Sequence, residues 1–461
     1  MKCKIFLFAA AAMAAVSAGA KDVDLQTHVR KYWTVYNEKT VPRTGGKNSD
    51  VESRNARIEY LEAMMRRFAP HLLDECLEID RIFNWKAGTY LKIFTFGHQT
   101  TAATPAEKNP AHECTSWAAM PDLTGGKSVI MHKNRDSSRK NLTVMRRAVP
   151  GKNSWIGSGS VTSFYPTQGM NGKGLVVIMN SGDPVAAVNN SIYGFGTVMI
   201  CRILLEECAT ADEAVDLLVK IIKDKAYSHG KAGSIWLIGD ADNVYIAENH
   251  ARKIEIKAVK SGFAIRANAF HFPEMQKYSL LSGKSFIRQR RREFTVYDYL
   301  VNKQWRRNGM VTPADFAAAS RIDRMDGDGY PPCGDKTIAG STFVIDREFP
   351  DLLSTAYMVI SFPRTSCYLP VPQSVQDIPE AILNGSVSKY SFELKDKKLP
   401  LLPPEKFAAL EKRLRDRHCA AVEKARLILR QSAAPDARSQ AAKLLNDAFA
   451  ANCRELLTVI K

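Results

Sequence analysis

The spacing of apolar residues changes character twice along this chain. From Val51 to Phe68 the apolar side chains recur near helical spacing (Ile58, Leu61, Met64, Met65, Phe68), and the run stops before Pro70. Residues 71–83 repeat the pattern with Leu72, Leu73, Cys76, Leu77 and Ile79, which predicts a second helix. The stretch 99–113 holds Pro105 and Pro110 and no apolar period, as an exposed, cuttable linker would. From Cys114 the period becomes two. Strands are expected at 128–132, 155–156, 161–165, 175–180, 234–238, 244–248, 253–258 and 263–268, and again at 341–345 and 356–362. Three helices interrupt them: a strongly apolar one at 195–208, one from the capping box Thr210-Ala211-Asp212-Glu213 to about Lys223, and one over 286–301. From Pro370 a proline-rich connection leads to two helices, 405–431 and 435–460, which read as a packing hairpin with Pro435 at a first helical position. Strands, helices and strands in that order predict an α+β fold, an antiparallel sheet covered by helices.

Composition narrows the picture. The chain has 461 residues, is 45% hydrophobic and carries a formal net charge of +17, enough for one large core with additions. The one dense basic run, Arg288 to Arg292 around Gln289, continues into Glu293-Phe294-Thr295-Val296 and reads as a helix start with solvated arginines. No basic motif interleaved with aromatics accompanies it, so no nucleic-acid partner is expected. The excess charge reads most simply as a soluble basic surface, and an anionic substrate or an anionic cell-wall surface is the alternative. Lys2 and Lys4, an apolar stretch at 5–16 and Ser17-Ala18-Gly19-Ala20 form a secretory signal with cleavage expected after Ala20. The expectation is an exported protein, periplasmic or extracellular, with no membrane span. The nine cysteines show no metal-finger spacing, and no metal or cofactor is expected. Export permits a disulfide such as Cys333–Cys367; Cys201 and Cys208 lie two helical turns apart, too far to bond. The segment Asp323-Arg324-Met325-Asp326-Gly327-Asp328 has the wrong spacing for a calcium loop and reads as a polar loop.

The chemistry centres on His112-Glu113-Cys114-Thr115-Ser116-Trp117 and the run Ser128 to Asp136, which ends in Asn134-Arg135-Asp136. The turn Gly125-Gly126 lets the second stretch fold back as a hairpin beside the first. If the chain is cut between Glu113 and Cys114, Cys114 becomes both a thiol nucleophile and an N-terminal amine. A neutral α-amine near pKa 8 can take the thiol proton within one residue, so no separate histidine is needed. Asp136 can return to hold that amine. Asn180 and Asn268, each at the end of a predicted strand, are amide donors suited to an oxyanion. Taken singly, such asparagines read as turn caps and such a cysteine as a core thiol; their joint arrangement points to catalysis.

These features resemble the N-terminal-nucleophile hydrolases, in the branch holding isopenicillin N acyltransferase, penicillin V acylase and bile-salt hydrolase. The resemblance rests on Cys114-Thr115-Ser116, Asn134-Arg135-Asp136, Gly169-Met170-Asn171-Gly172-Lys173-Gly174-Leu175 leading to Asn180, Arg266-Ala267-Asn268, and the helix start holding Ser285, Arg288 and Arg291. It covers roughly residues 114–300 and, more loosely, the chain to about 370. It implies an αββα four-layer sandwich at 114–370, a signal at 1–20, a helical pro-segment at 21–113 retained as a small subunit after self-cleavage, and a C-terminal helical extension at 371–461. It implies Cys114 as nucleophile, Asp136 as the holder of the amine, and Asn180 and Asn268 as the oxyanion and amine contacts. It implies Arg288 as the arginine that some members place beside the nucleophile, with Arg291 an almost equal fit, and Lys133 and Arg291 as substrate contacts. Two positions depart from the family. Lys133 stands where bile-salt hydrolases carry arginine, which keeps charge but loses bidentate geometry and argues against a straightforward bile-salt hydrolase. Glu113 stands where acyltransferases cut after glycine.

The reading is an exported, self-processing cysteine amidohydrolase that cleaves a linear amide C–N bond through a thioester on Cys114. Three other readings compete with it. An acyltransferase passing the acyl group to an amine would share every residue. A non-enzymatic binding protein on the same fold would leave Cys114 unreactive. A papain-like Cys–His enzyme, using His112 or His132, lacks the surrounding signature.

Overall fold

The computed structural model describes residues 51–92, 114–126, 128–137, 141–189, 191, 193–229, 232–323, 330–431 and 435–460. The expected signal, the 99–113 linker with Glu113 and most of the 323–328 loop lie outside them. In chain order, the principal elements begin with α1 (Val51–Phe68) and α2 (Pro70–Ile82). Six strands follow: β1 (Thr115–Ala119), β2 (Ile130–Asp136), β3 (Leu142–Arg147), β4 (Trp155–Ser160), β5 (Gln168–Asn171) and β6 (Val176–Pro184). Next come α3 (Thr197–Glu207) and α4 (Ala211–Lys223), then β7 (Ala232–Gly239), β8 (Val244–His250), β9 (Lys253–Val259) and β10 (Phe263–Arg266). Helix α5 (Gly283–Tyr297) runs on as a π-helical segment, Asp298–Trp305, and precedes α6 (Pro313–Ala319). The chain closes with β11 (Thr337–Val344), β12 (Thr355–Val359), β13 (Leu369–Pro372), α7 (Ser386–Asp396), α8 (Pro404–Gln431) and α9 (Pro435–Ile460).

The strands form two antiparallel sheets, one ordered β10-β1-β2-β11-β12-β13 and the other β3 to β9 in sequence order. Side-chain alternation along each strand then sorts the core into layers. Ala118, Met120 and Met131 of the first sheet meet Val144, Ile156, Met170, Val176, Ile178 and Leu237 of the second, which is the interface between sheets. The residues of opposite parity, Trp117, Ala119 and Ile130, pack outward against Val296, Leu300 and Phe316 of α5, its π-helical continuation and α6. On the far side, Val177, Met179 and Trp236 pack against α3, α4 and the α1–α2 pair. Helix, sheet, sheet, helix: the fold is the expected αββα sandwich. The helical termini follow the sequence too. Thr210 Oγ1 accepts from the Glu213 N–H (3.2 Å) as an N-cap, but the Glu213 carboxylate turns to the Ala209 N–H (2.6 Å), one residue before the cap, so the reciprocal half of the expected capping box is displaced.

Several local expectations are corrected. Residues 161–165 form no strand. Ser163 closes a turn, its N–H donating to the Ser160 carbonyl (3.0 Å) and its hydroxyl accepting from the Tyr165 N–H (3.1 Å), just before Pro166. Strands β3 and β5 come from stretches that lack clean alternation because both are largely buried. The proline-rich start of the tail is not all connection: Leu369-Pro370-Val371-Pro372 is β13, an edge strand on which prolines are tolerated, and it crosses the 370/371 boundary. The suggested Cys333–Cys367 disulfide is not formed. Both are buried free thiols in separate core clusters. Burial pushes the Cys201, Cys208, Cys333 and Cys453 thiols up to about 12, so they behave as small hydrophobes.

The amino-terminal helices are tied down by more than apolar contact. Glu75 on α2 is buried and takes a fork of two hydrogen bonds from Arg202 of α3, both 2.7 Å, and a third from Arg147 of β3 at 2.8 Å. Arg202 also reaches Glu206 (2.8 Å), which bonds His71 of α2 (2.7 Å) and the Trp155 indole N–H (2.9 Å). Burial opposes the Glu75 charge, yet the two guanidiniums outweigh it and hold the carboxyl below its usual range.

Candidate active site

The site grows from the position of β1. It is an inner strand, paired on one side with β10 and on the other with β2, so the residue at its start is held by ladders on both flanks. The registers Thr115↔Asn134 and Ser116↔Lys133 put the end of β2 beside the start of β1, as the hairpin reading required. On the other flank Ser116 pairs with Arg266. One alternation further along, Cys114 and Asn268 occupy matching positions beyond the last pair, so the chain delivers a thiol and an amide to one end of the sandwich. Cys114 is buried.

The second sheet supplies Asn180 from β6. Its Oδ1 accepts from the Ser116 hydroxyl (2.8 Å), and its Nδ2 donates to the Arg266 and Ala267 carbonyls (3.1 and 3.3 Å). Asn180 therefore joins β1 to the end of β10. Asn268 uses one Nδ2 hydrogen on the Ser181 carbonyl (2.6 Å). A carboxamide has two, and the second has no protein acceptor among the described residues. The structure thus brings Cys114, Asn180 and Asn268 together. Asp136 ends β2 two residues past Asn134, buried, and opposite Thr337 of β11.

Lys133 projects into the interface between the sheets and is buried. Its ammonium donates to the Met179 carbonyl and to the Thr167 carbonyl (3.5 Å). Burial holds its pKa below the usual lysine range, and the field of the Cys114 thiol opposes that shift. Behind β1, on the helix-covered face, His132 stacks on Trp117 with ring centroids 4.1 Å apart. Its nitrogens meet Thr342 Oγ1 (2.7 Å) and Asn134 Oδ1 (2.9 Å), and burial presses its pKa down to about 3. His132 is a neutral brace, which removes it as the base of a papain-like pair.

Among the described residues, the arginine hydrogen-bonded to Cys114 is Arg292 rather than Arg288 or Arg291. Arg292 Nη1 donates to the Cys114 carbonyl (3.3 Å) and to Thr115 Oγ1 (3.4 Å). Arg288 lies one turn earlier on α5 with its guanidinium over the Tyr330 ring, 4.7 Å from the centroid, and Arg291 is exposed. The signal was present in the spacing: Arg292, Val296 and Leu300 recur every four residues, so Arg292 belongs to the face that the apolar residues bury.

Three carboxylates near Asn268 also escaped the sequence reading. Glu293 of α5 accepts from the Ala267 N–H (2.8 Å), Asp183 of β6 from the Phe270 N–H (3.1 Å), and Glu248 of β8 from the His271 and Phe272 N–H groups (both 2.9 Å). Burial raises Glu248 and pushes Asp183 from 3.8 up to about 6. Between pH 4 and 6 the folded chain therefore binds the Asp183 proton more tightly than the unfolded chain does. The associated stability is present at low pH and is lost as pH rises through that window, by roughly 2–3 kcal/mol in all. Subtracting the unfolding free energy of Asp183→Asn from that of the parent should leave a difference that falls by this amount from pH 4 to pH 7. A flat difference would show that Asp183 titrates normally. Among the described residues, no cluster of three or more His, Cys, Asp or Glu side chains could hold a metal ion.

Solved structures with some likeness include a variant of the conjugated bile acid hydrolase from Clostridium perfringens, with 11% identity over 59% of this chain and 94% of that one, and a TM-score of 0.37. The Caenorhabditis elegans ortholog of N-acylethanolamine-hydrolyzing acid amidase has 15% identity over 50% and 92% of the two chains, with a TM-score of 0.34. Penicillin V acylase from Agrobacterium tumefaciens has 15% identity over 56% and 86%, with a TM-score of 0.33. No curated protein matches the chain. Residues 123–307, which include Asp136, Asn180, Asn268 and Arg292, match the model of the acyl-coenzyme A:6-aminopenicillanic acid acyl-transferase family.

Proposed function

We propose that this protein is an exported cysteine amidohydrolase that activates itself by cutting between Glu113 and Cys114, then cleaves a linear amide through a thioester on Cys114. The observation that carries the reading is the seating of Cys114 at the start of an inner strand, with Arg292 on its carbonyl and Asn268 in the matching position of the neighbouring strand. Cutting there leaves the new amine at a fixed chain end, where Asp136 from the paired strand holds it. The amine takes the thiol proton, and the thiolate attacks the substrate carbonyl. Asn268 donates its remaining Nδ2 hydrogen to the oxyanion while Asn180 fixes the strand end that carries it. The C–N bond breaks as the ammonium returns its proton to the leaving amine. Water then adds to the thioester, releases the acid and restores the thiol. Lys133 sets a positive charge beside the sulfur from within the sandwich. An acyltransferase would differ only in the second step, with an amine in place of water.

The amino-terminal region supports export, and the basic balance supports an anionic substrate, with Arg291 on the exposed side of α5 as a contact. The ion network around Glu75 supports retention of the pro-segment as a subunit after the cut.

The intact mass of the purified protein under denaturing conditions tests the proposal beside a Cys114→Ala variant. The parent is expected as two pieces, one ending at Glu113 and one starting at Cys114, and the variant as one. A parent that stays whole through prolonged incubation has no free amine on Cys114, and the mechanism then loses its base.

A further inference from the structure

Residues 267–272 connect β10 to the helical face of the sandwich and contain Asn268. This connection has little regular structure of its own, so its backbone N–H groups need other acceptors. It receives three buried carboxylates from three separate elements: Glu293 on Ala267, Asp183 on Phe270, and Glu248 on both His271 and Phe272. Asn180 holds the carbonyl side at Arg266 and Ala267, and Gln276 donates to the Phe270 carbonyl (3.1 Å). Neutral side chains would satisfy these groups without the cost of burying anions. What a carboxylate adds is a charge-assisted bond, and hence a stiffer connection.

We infer that Asp183, Glu248 and Glu293 are positioning residues for acyl transfer: together they clamp residues 267–272 so that the Asn268 amide stays at the oxyanion position beside Cys114. The inference rests on the function proposed above. Two of the three carry cations of their own. Glu248 has Arg266 at 3.4 Å, and Glu293 has Arg290 at 2.9 Å and His271 at 3.0 Å. Asp183 has no ion-pair partner among the described residues, so replacing it loosens the connection without stranding a cation. It is the member to test.

The test is a double-mutant cycle on the full chain, in a Cys419→Ser background because Cys419 is the exposed thiol. The probe is 4-nitrophenyl butyrate, whose acylation of Cys114 releases nitrophenolate. Iodoacetamide alkylation of Cys114, followed by mass, reports the thiol without needing an oxyanion donor. Asn268→Ala is expected to lower kcat about 100-fold, and Asp183→Ala about 10- to 100-fold, with KM changed less than about threefold. Alkylation rates should stay within about twofold of the parent. On the Asn268→Ala background, Asp183→Ala should cost nothing further, because a residue that acts only through Asn268 has nothing left to position. Asp183→Asn should fall between parent and Asp183→Ala, and again have no effect without Asn268; it takes the alanine variant's place if that chain does not fold. Losses that multiply across the cycle overturn the clamp, as does full activity in Asn268→Ala. Nitrophenolate release that survives Cys114→Ala sinks the proposed function itself. Loss in Cys114→Ala with a multiplicative cycle sinks only the clamp.

Discussion

Replacing Cys114 with alanine is expected to abolish acyl release while leaving the fold in place. On the proposed function, the nucleophile and its base are one residue, so the substitution removes both the sulfur and, by preventing the cut, the free amine. A general base alone is worth about 10²–10⁴-fold and covalent catalysis adds to it, so a loss of at least ~10⁴-fold is expected. The structural cost is small. The residue is buried, but deleting one sulfur from a short side chain removes little packing, and a cost of about 1 kcal/mol or less is expected. Nitrophenolate release and thermal melting measured on one preparation check both halves. A variant with substantial activity would move the chemistry away from Cys114.

Glu75→Ala carries the largest expected effect on stability. The substitution takes the carboxylate from between Arg147 and Arg202, whose side chains are 5% and 0% exposed. Glu206 still answers Arg202, while Arg147 loses its hydrogen bond to Glu75. Breaking a buried pair from one side costs roughly 3–5 kcal/mol, because the bonds lost are charge-assisted and lie in a dry interior. Two readouts are expected to move together: the denaturation midpoint should fall, and after cleavage the piece ending at Glu113 should separate from the larger one during size-exclusion chromatography. Glu75→Gln keeps the shape and loses the charge, and should fall between. A normal midpoint in the alanine variant would mean that apolar packing under α1 and α2 suffices to hold the pro-segment.

The layers of the fold were legible because burial writes a period into the chain. Ala118, Met120 and Met131 alternate with Trp117, Ala119 and Ile130, and that alternation assigns each to the inter-sheet core or to the helix-covered face. Strands β3 and β5 were not legible, because strands buried on both faces lose the contrast that alternation needs. Cys114, Asp136 and Asn268 lie at or just beyond strand ends, as the sequence pattern places them, whereas Asn180 lies inside β6, which runs on to Pro184 instead of ending there. Arg292 was hidden in a run of arginines where residue type gives no distinction and only the spacing to Val296 and Leu300 does. Asp183, Glu248 and Glu293 were hidden for a different reason. Their partners are backbone groups of residues 267–272, and a backbone acceptor or donor has no signature in the sequence.

The pairing of β1 sets a clock on the protein's birth. One of its two flanks is the edge strand β10, and its arginine sits 178 residues downstream of Cys114. At the usual pace of about 5–20 residues per second, a ribosome takes roughly 10–35 s to make that interval. During it the thiol exists without its second neighbouring strand, its asparagine or its guanidinium. On the proposed function, the Glu113–Cys114 bond therefore stays whole in a nascent chain, and synthesis through Arg292 is what arms it.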